Sequence, residues 1–134
     1  MRFTSLALLA LMLVACGGDD PQGPTPPSIF GTYAVETIDG EPLPYTSVDL
    51  PDLTVEVLNA SYRLNSDMTW SLEAALRETR LGEVTTETTT ETGTFVQNGD
   101  ALELTDSDGE VYSGTLSGEI LTVIFAGLSW VAVK

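Results

Sequence analysis

Residues 69–97 read TWSLEAALRETRLGEVTTETTTETGTFVQ, and this stretch decides the fold. Its first half alternates apolar and polar side chains with a period of two, which is the repeat of a β-strand with one buried face. Leu81 and Gly82 then mark a tight turn, and a run rich in threonine, a β-branched residue that favours strands, follows it. The stretch therefore predicts two long antiparallel strands, over residues 69–79 and 83–97.

Both strands leave an alternative open. The first contains leucine, alanine and glutamate, which also favour a helix over residues 71–80. The second carries its glutamates on odd-numbered positions, which we predict to face solvent, and mostly threonines on even-numbered ones. Threonine hydroxyls facing inward would fit a hydrated or ligand-bearing interior, because a dry core disfavours them. The other interpretation is an overhanging strand that is wet on both faces.

Turn signals on either side of this stretch extend the pattern. Pairs such as Asn98-Gly99 and Asp108-Gly109 tolerate the positive φ of tight hairpins, and β-forming runs lie between them. Eight antiparallel strands joined by short turns can close into an up-and-down barrel. We therefore predict one all-β domain over residues 29–134, an eight-stranded antiparallel barrel. Its strands are predicted over residues 30–38, 53–64, 69–79, 83–97, 101–105, 110–116, 120–125 and 128–133.

The N-terminal segment has a different character. Residues 1–15 contain one basic residue, Arg2, and then an apolar run that is too short to span a bilayer, which needs about 20 apolar residues. This layout predicts a signal peptide that is removed. Residues 17–28 contain four prolines and three glycines and nothing that forms a core, so residues 16–28 are predicted to be a flexible tether.

Leu13-Val14-Ala15-Cys16 resembles the lipobox of bacterial lipoproteins. The resemblance implies cleavage before Cys16 and attachment of lipid, palmitate among the acyl groups, to its thiol. It also implies residence in the cell envelope, in the outer membrane of a diderm organism because Gly17 follows the cysteine. Cys16 is the sole cysteine of the chain, so it has no disulfide partner there, and lipidation would account for it. The alternative is an ordinary secreted protein with a free thiol.

Several short motifs of the domain resemble those of lipocalin-like barrels in small bacterial lipoproteins. The resemblance implies the barrel fold named above, and fold alone does not fix a ligand or a function. The motifs are residues 29–33 (IFGTY), 38–44 (IDGEPLP), 64–70 (LNSDMTW), 93–95 (GTF) and 118–123 (GEILTV).

Charge and composition exclude several classes of function. Loss of Arg2 with the signal takes the formal net charge from −15 to −16, which disfavours nucleic-acid partners. The chain has no histidine, and its one lysine is the terminal residue, so we expect no enzyme and no cofactor. Asp106, Asp108 and Glu110 resemble the start of a calcium loop, but such a pattern is also ordinary hairpin chemistry, and we predict no metal site.

Aromatic residues fall on most of the predicted strands. Core packing is one interpretation, and the other is a barrel mouth that accepts a small hydrophobic ligand. The leading hypothesis is a membrane-anchored, non-catalytic binding module, held to the membrane by its N-terminal lipid, whose protein partners are unknown. The alternative is a structural or protein-interaction domain with a packed interior and no ligand. The predicted ligand-lining residues are Tyr33, Trp70, Thr86, Thr88, Tyr112 and Trp130.

Overall fold

The computed structural model describes residues 28–134, and every regular element in that range is a β-strand. Among these residues there is accordingly no helix long and apolar enough to cross a membrane. The predicted signal peptide, Cys16 and the tether up to residue 27 lie outside the described residues. The strands are β1 (Gly31–Ile38), β2 (Glu41–Pro42), β3 (Tyr45–Leu50), β4 (Leu53–Leu64), β5 (Thr69–Arg80), β6 (Glu83–Asn98), β7 (Ala101–Asp106), β8 (Val111–Ser117), β9 (Ile120–Phe125) and β10 (Leu128–Val133).

Eight of these strands form a closed barrel. From β4 to β10 each strand pairs antiparallel with the next one along the chain, and β10 pairs with β1. Residues 31–34 of β1 then pair with residues 61–64 of β4, which closes the cylinder. This arrangement confirms the predicted eight-stranded up-and-down barrel. The alternative of a helix over residues 71–80 is wrong, because β5 passes through them in continuous register with β6.

Two short strands fill the gap where β1 and β4 diverge. β2 pairs with the end of β1, and β3 pairs with residues 53–57 of β4. Sequence analysis did not predict either strand, and β2 contains Pro42. Proline lacks an N–H for a central ladder and is confined to edge strands, and β2 is such an edge.

The two ends of the barrel differ. One end, here called the base, holds Ser28, the terminal Lys134 and the turns after β4, β6 and β8. Lys134 Nζ donates a hydrogen bond to the carbonyl of Ser28 there. The other end, the mouth, holds the turns after β1, β5 and β9 and the loop after β7. The described chain therefore enters the barrel at the base, on the side opposite the mouth.

The interior is filled by apolar side chains that alternate along the strands with exposed ones. No charged or polar residue is buried among residues 28–134, so the core is stabilised by the burial of apolar surface. The largest fully buried side chains are Trp70, Tyr33, Tyr62, Ile38, Leu64, Leu104, Leu121 and Val123.

Strands β4, β5 and β6 extend beyond the rest of the barrel at the mouth. Together with β3 they form a projecting sheet, here called the flap (residues 45–57 and 76–91). Residues 83–90 of β6 are exposed on both faces, which confirms the overhanging strand and rejects an inward row of threonine hydroxyls. β6 pairs with β7 only from Gly93 onward, so one backbone edge of residues 83–92 has no strand beside it in the described structure.

β6 exposes Glu83 and Glu87, as predicted, but Glu91 is half-buried. Its register with β5 has no bulge and places Glu91 opposite the buried Leu72, and Glu87 opposite Leu76. Directly opposed residues share a face of a sheet. The glutamates therefore lie, with Thr85 and Thr89, on the face that continues the barrel interior, and the even-numbered threonines lie on the outer face.

Candidate ligand site at the mouth

A cavity of about 230 Å³ opens at the mouth, between the flap and the β9–β10 hairpin. Its floor is apolar, formed by buried side chains of β5 and by an aromatic wall from β9 and β10. An apolar cavity of roughly 150 Å³ is large enough for benzene, so this one has room for a small molecule. The lining residues are Ser47, Val57, Leu72, Ala74, Leu76, Thr89, Glu91, Phe125, Ala126, Leu128 and Trp130.

Five aromatic rings form a continuous cycle around the inside of the barrel, each from a different strand. Neighbouring ring centroids lie within the range in which aromatic pairs attract each other, and three of the contacts are edge-to-face. The cycle therefore forms a rigid layer, and two of its members also line the mouth cavity. The centroid distances are 6.3 Å for Tyr62–Trp70, 6.3 Å for Trp70–Tyr112, 4.8 Å for Tyr112–Phe125, 5.7 Å for Phe125–Trp130 and 6.5 Å for Trp130–Tyr62.

Two members of this aromatic cycle are held by hydrogen bonds to the barrel wall. The indole Nε1 of Trp70 donates to the carbonyl oxygen of Thr105 at 3.2 Å. The hydroxyl of Tyr112 donates to Asp106 Oδ2 at 2.8 Å. The bond to this carboxylate raises the pKa of Tyr112 well above its ordinary value, so the phenol is neutral at physiological pH. Both rings are thus fixed independently of any ligand.

The other two polar members of the cycle have no such partner. The hydroxyl of Tyr62 and the indole Nε1 of Trp130 are buried, and neither makes a hydrogen bond within residues 28–134. Leaving a buried donor unpaired costs about 1–3 kcal/mol. Burial, with smaller contributions from Tyr112 and Glu91, raises the pKa of Tyr62, so its hydroxyl keeps its proton. Trp130 thus combines a place in the cavity wall with a donor that the described residues leave unpaired.

The charge at the rim is negative. Glu91 is half-buried and lines the cavity, and Glu87 lies four residues further toward the tip of the flap on the same face, with Thr89 between them. The neighbouring arginine of β5, Arg77, lies on the outer face, where it forms a bidentate pair with Glu56 at 2.7 and 2.9 Å. Its charge is therefore not available to the cavity.

The structure brings together some of the predicted site residues and separates others. Trp130 lines the cavity, and Trp70 and Tyr112 belong to the aromatic layer beside it. Tyr33 lies at the base instead, where its hydroxyl donates to the carbonyl of Ile29 at 2.6 Å.

Thr86 and Thr88 do not line the interior. The register of β6 places them on the outer face of the flap, opposite Arg77 and Ala75, and both are exposed. This corrects the sequence-based assignment.

Sequence analysis missed the cavity residues Leu72, Phe125 and Glu91. The signal that would have found Glu91 is the phase of Phe95. A large aromatic residue in an otherwise polar strand fixes the inward positions at every second residue, and these include 93 and 91. Phe95 is indeed buried, at 2% exposure.

The acidic loop after β7 has a structural role. Asp106 Oδ1 accepts the backbone N–H groups of Asp108 and Glu110 at 2.9 and 2.8 Å, while Oδ2 accepts from Tyr112. The bond from Tyr112, with those backbone bonds, lowers the pKa of Asp106 below its ordinary value. Within the described part of the chain, no three metal-ligating side chains come together. The loop is thus organised by its own hydrogen bonds.

Two larger depressions lie elsewhere on the described surface. One of about 440 Å³ lies at the base beside Arg63 and Asp67, and one of about 550 Å³ lies on the outer wall beside Glu103 and Thr115. Neither is lined by a buried polar atom without a partner, whereas the mouth cavity is lined by Trp130. We therefore take the mouth cavity as the candidate site.

Comparison with known proteins assigns no family. No protein-family model and no curated protein matches the sequence. Among solved structures, the chain is similar to the crystal structure of the Cpx pathway activator NlpE from Escherichia coli. The sequence identity is 26%, the TM-score is 0.39, and the match covers 60% of this chain. It spans 40% of the length of NlpE.

Proposed function

We propose that this chain is a lipid-anchored, non-catalytic binding module of the bacterial cell envelope, which takes a small apolar or amphipathic molecule into the mouth cavity. The observation that carries the proposal is Trp130, a buried indole donor without a partner at the wall of an open apolar cavity. Apolar walls with a few placed polar groups are the usual composition of small-molecule sites. The lipobox resemblance at Cys16 supports the anchored state.

A second function competes with this one. The interior toward the base is filled, and 230 Å³ is below the range of roughly 300–1,000 Å³ typical of pockets for drug-sized ligands. A structural or protein-interaction domain without a ligand would need no cavity. The two functions differ in whether anything small enters the mouth.

The test uses the two tryptophans of the chain as separate reporters. We would titrate 4-phenylbutanol, a neutral probe with an apolar body and one hydroxyl, into ¹⁵N-labelled protein and follow both indole N–H signals. The signal of Trp130 is expected to shift, because this residue lines the cavity, whereas the indole N–H of Trp70 is already bonded to Thr105 and its signal should move less. No shift of either signal up to the solubility limit of the probe would favour the structural function.

A pair of substitutions locates the binding. Ala74→Leu extends a side chain into the cavity and is expected to weaken binding of 4-phenylbutanol about tenfold, since it removes volume that the ligand needs. Ala75→Leu is the matched control, because the next residue lies on the outer face opposite Thr88. Equal loss in both variants would place the site elsewhere.

A further inference from the structure

We infer that the mouth cavity selects a small amphiphile with a protonated amine, whose cationic head is held at Glu91 and whose apolar body lies on the aromatic and aliphatic floor. This inference rests on the proposed function and adds the chemical class of the ligand.

The position of Glu91 is the first argument. It is half-buried, it lines the cavity, and its opposite neighbour on β5 is Leu72, which forms part of the floor. A carboxylate at the boundary between an apolar floor and solvent matches a molecule with one apolar part and one cationic part. Charge-assisted hydrogen bonds from an ammonium group to a carboxylate are among the stronger ones in proteins.

The second argument is that the protein does not neutralise this carboxylate itself. Glu91 and Glu87 form no salt bridge with any residue from 28 to 134. Of the basic residues, Arg77 is paired with Glu56 on the outer face, and Arg80 is paired with Glu78 at 2.9 Å near the tip of the flap. The other two basic residues between 28 and 134, Arg63 and Lys134, lie at the base.

The third argument is the aromatic wall. Phe125 and Trp130 line the same cavity with ring centroids 5.7 Å apart. The face of an aromatic ring attracts a cation, and tryptophan does so most strongly. The formal net charge of −15 adds a long-range attraction for cations and opposes anions. A carboxylate-headed amphiphile such as a fatty acid would meet repulsion at Glu91.

The lining and the size of the cavity limit the body of the ligand. An aromatic or short aliphatic body would contact Phe125, Trp130 and Leu72. The geometry thus points to an arylalkylamine or a short alkylamine. A volume of 230 Å³ leaves no room for a long acyl chain beside such a body.

The test compares three probes with one body and different heads: 4-phenylbutylamine, 4-phenylbutanol and 4-phenylbutanoate. Dissociation constants would be measured by tryptophan fluorescence at neutral pH and low salt. We expect the amine to bind about tenfold more tightly than the alcohol, and the carboxylate to bind more weakly than both. Added salt should reduce the advantage of the amine and leave the alcohol unchanged.

Two variants assign the selectivity to one side chain. Glu91→Gln keeps the size and polarity of the residue and is expected to abolish the preference for the amine while binding of the alcohol persists. Glu73→Gln removes the same charge from the outer face of β5, opposite Thr90, and should retain the preference. Binding of the alcohol shows in each case that the variant is folded.

The outcomes separate this inference from the proposed function. If the alcohol binds and the amine has no advantage, or if Glu91→Gln keeps that advantage, the inference is overturned and the proposed function stands. Tighter binding of the carboxylate would overturn it as well. If none of the three probes binds, the proposed function itself fails.

Discussion

Gly93 is the residue at which the flap joins the barrel, and its lack of a side chain is a packing requirement. A Cβ at this position would lie 1.9 Å from the carbonyl oxygen of Thr105 and 2.7 Å from Trp70 Nε1. Both atoms belong to the hydrogen bond that fixes the Trp70 indole. Close approach of β6 to β7 and the orientation of a central aromatic ring therefore depend on the same glycine.

Gly93→Ala is expected to destabilise the domain by about 3 kcal/mol, because the methyl group forces the strands apart and breaks the Trp70 bond. Urea unfolding followed by tryptophan fluorescence would measure the loss. Thr94→Ala, at the next and exposed position, is the control and should cost far less. A loss below about 1 kcal/mol for Gly93→Ala would mean that the backbone relaxes around the added methyl.

Leu81 carries strain at the tip of the flap. It has a φ of 50° in the β5–β6 turn and is 80% exposed. The left-handed conformation is unfavourable by roughly 1–2 kcal/mol for a residue with a Cβ, and asparagine is among the residues that tolerate it best.

Leu81→Asn is therefore expected to raise the stability by about 1 kcal/mol and the melting temperature by about 4 °C. Differential scanning calorimetry would detect this. Leu81→Ala keeps the strain and should give no comparable gain. If Leu81→Ala raised the stability by the same amount, the effect would come from removal of an exposed apolar side chain and not from relief of backbone strain.

Asp106 makes the stability of the mouth loop depend on pH. Its pKa is lowered in the folded state, first by the bond from Tyr112 and then by backbone N–H groups. A carboxylate with a lowered folded pKa contributes stability above its unfolded pKa of about 3.9, and that contribution is lost as pH falls through the folded value.

Asp106→Asn is accordingly expected to be less stable than the natural chain at neutral pH. The difference in the free energy of unfolding between the two proteins should decrease as the solution is acidified toward pH 2, about the lower end of carboxyl titration. Urea midpoints of both proteins at several pH values would test this. Comparing the two proteins removes the background from the other carboxylates. A difference independent of pH would show that the charge of Asp106 is not what the loop uses.

Among the elements, β6 shows best what the sequence could and could not predict. Alternation and β-branched residues were enough to place it within one residue, as Glu83–Asn98. They were not enough to orient it, because threonine and glutamate have no strong preference between two solvated faces. Burial of Phe95 and Trp70 sets the phase, and that burial depends on contacts with strands far along the chain. Glu91 was missed for this reason.

The unpaired edge of β6 predicts an alternating pattern of amide exchange. The carbonyl of Thr92 accepts from Ser107 on the β7 side, so even-numbered residues direct their backbone groups to that side. Along residues 83–91, between Thr92 and the tip of the flap, no described strand lies on that side.

Amides of Val84, Thr86, Thr88 and Thr90 should therefore exchange with solvent at least about tenfold faster than those of Thr85, Glu87 and Thr89, which face β5. Hydrogen exchange measured by NMR on the monomeric protein would resolve individual residues. Protection of the even-numbered amides would show that another strand covers this edge.

On the scale of the whole molecule, the barrel could be predicted from turn spacing and alternation, because eight strands joined by short turns leave no unpaired edge when they close into a barrel. The flap could not be predicted in this way. The barrel closes through pairs at residues 31–34 alone, and the longer strands β4 to β6 then continue past it. The mouth cavity forms in the space between the flap and the β9–β10 hairpin, so no local sequence pattern could predict it. Trp130 and Tyr112 were nevertheless found, because aromatic residues on short strands tend to meet inside a barrel.

The proposed anchoring makes a prediction for the full chain. Cys16→Ser removes the thiol that would carry the lipid, so the protein made in a bacterial host is expected to move from the membrane fraction to the soluble fraction and to lose incorporation of labelled palmitate. Fractionation and labelling of the two proteins side by side would measure both. A Cys16→Ser protein that still sediments with membranes would contradict the anchor while leaving the mouth cavity untouched.

The placement of Ser28 at the base and of the cavity at the opposite end separates attachment from access. Ser28 is held beside Lys134 at the base, so the point at which the described chain begins lies away from the mouth cavity. The same arrangement suits deliberate immobilisation: protein coupled to a solid surface at residue 28 would be attached by its base and not by its mouth.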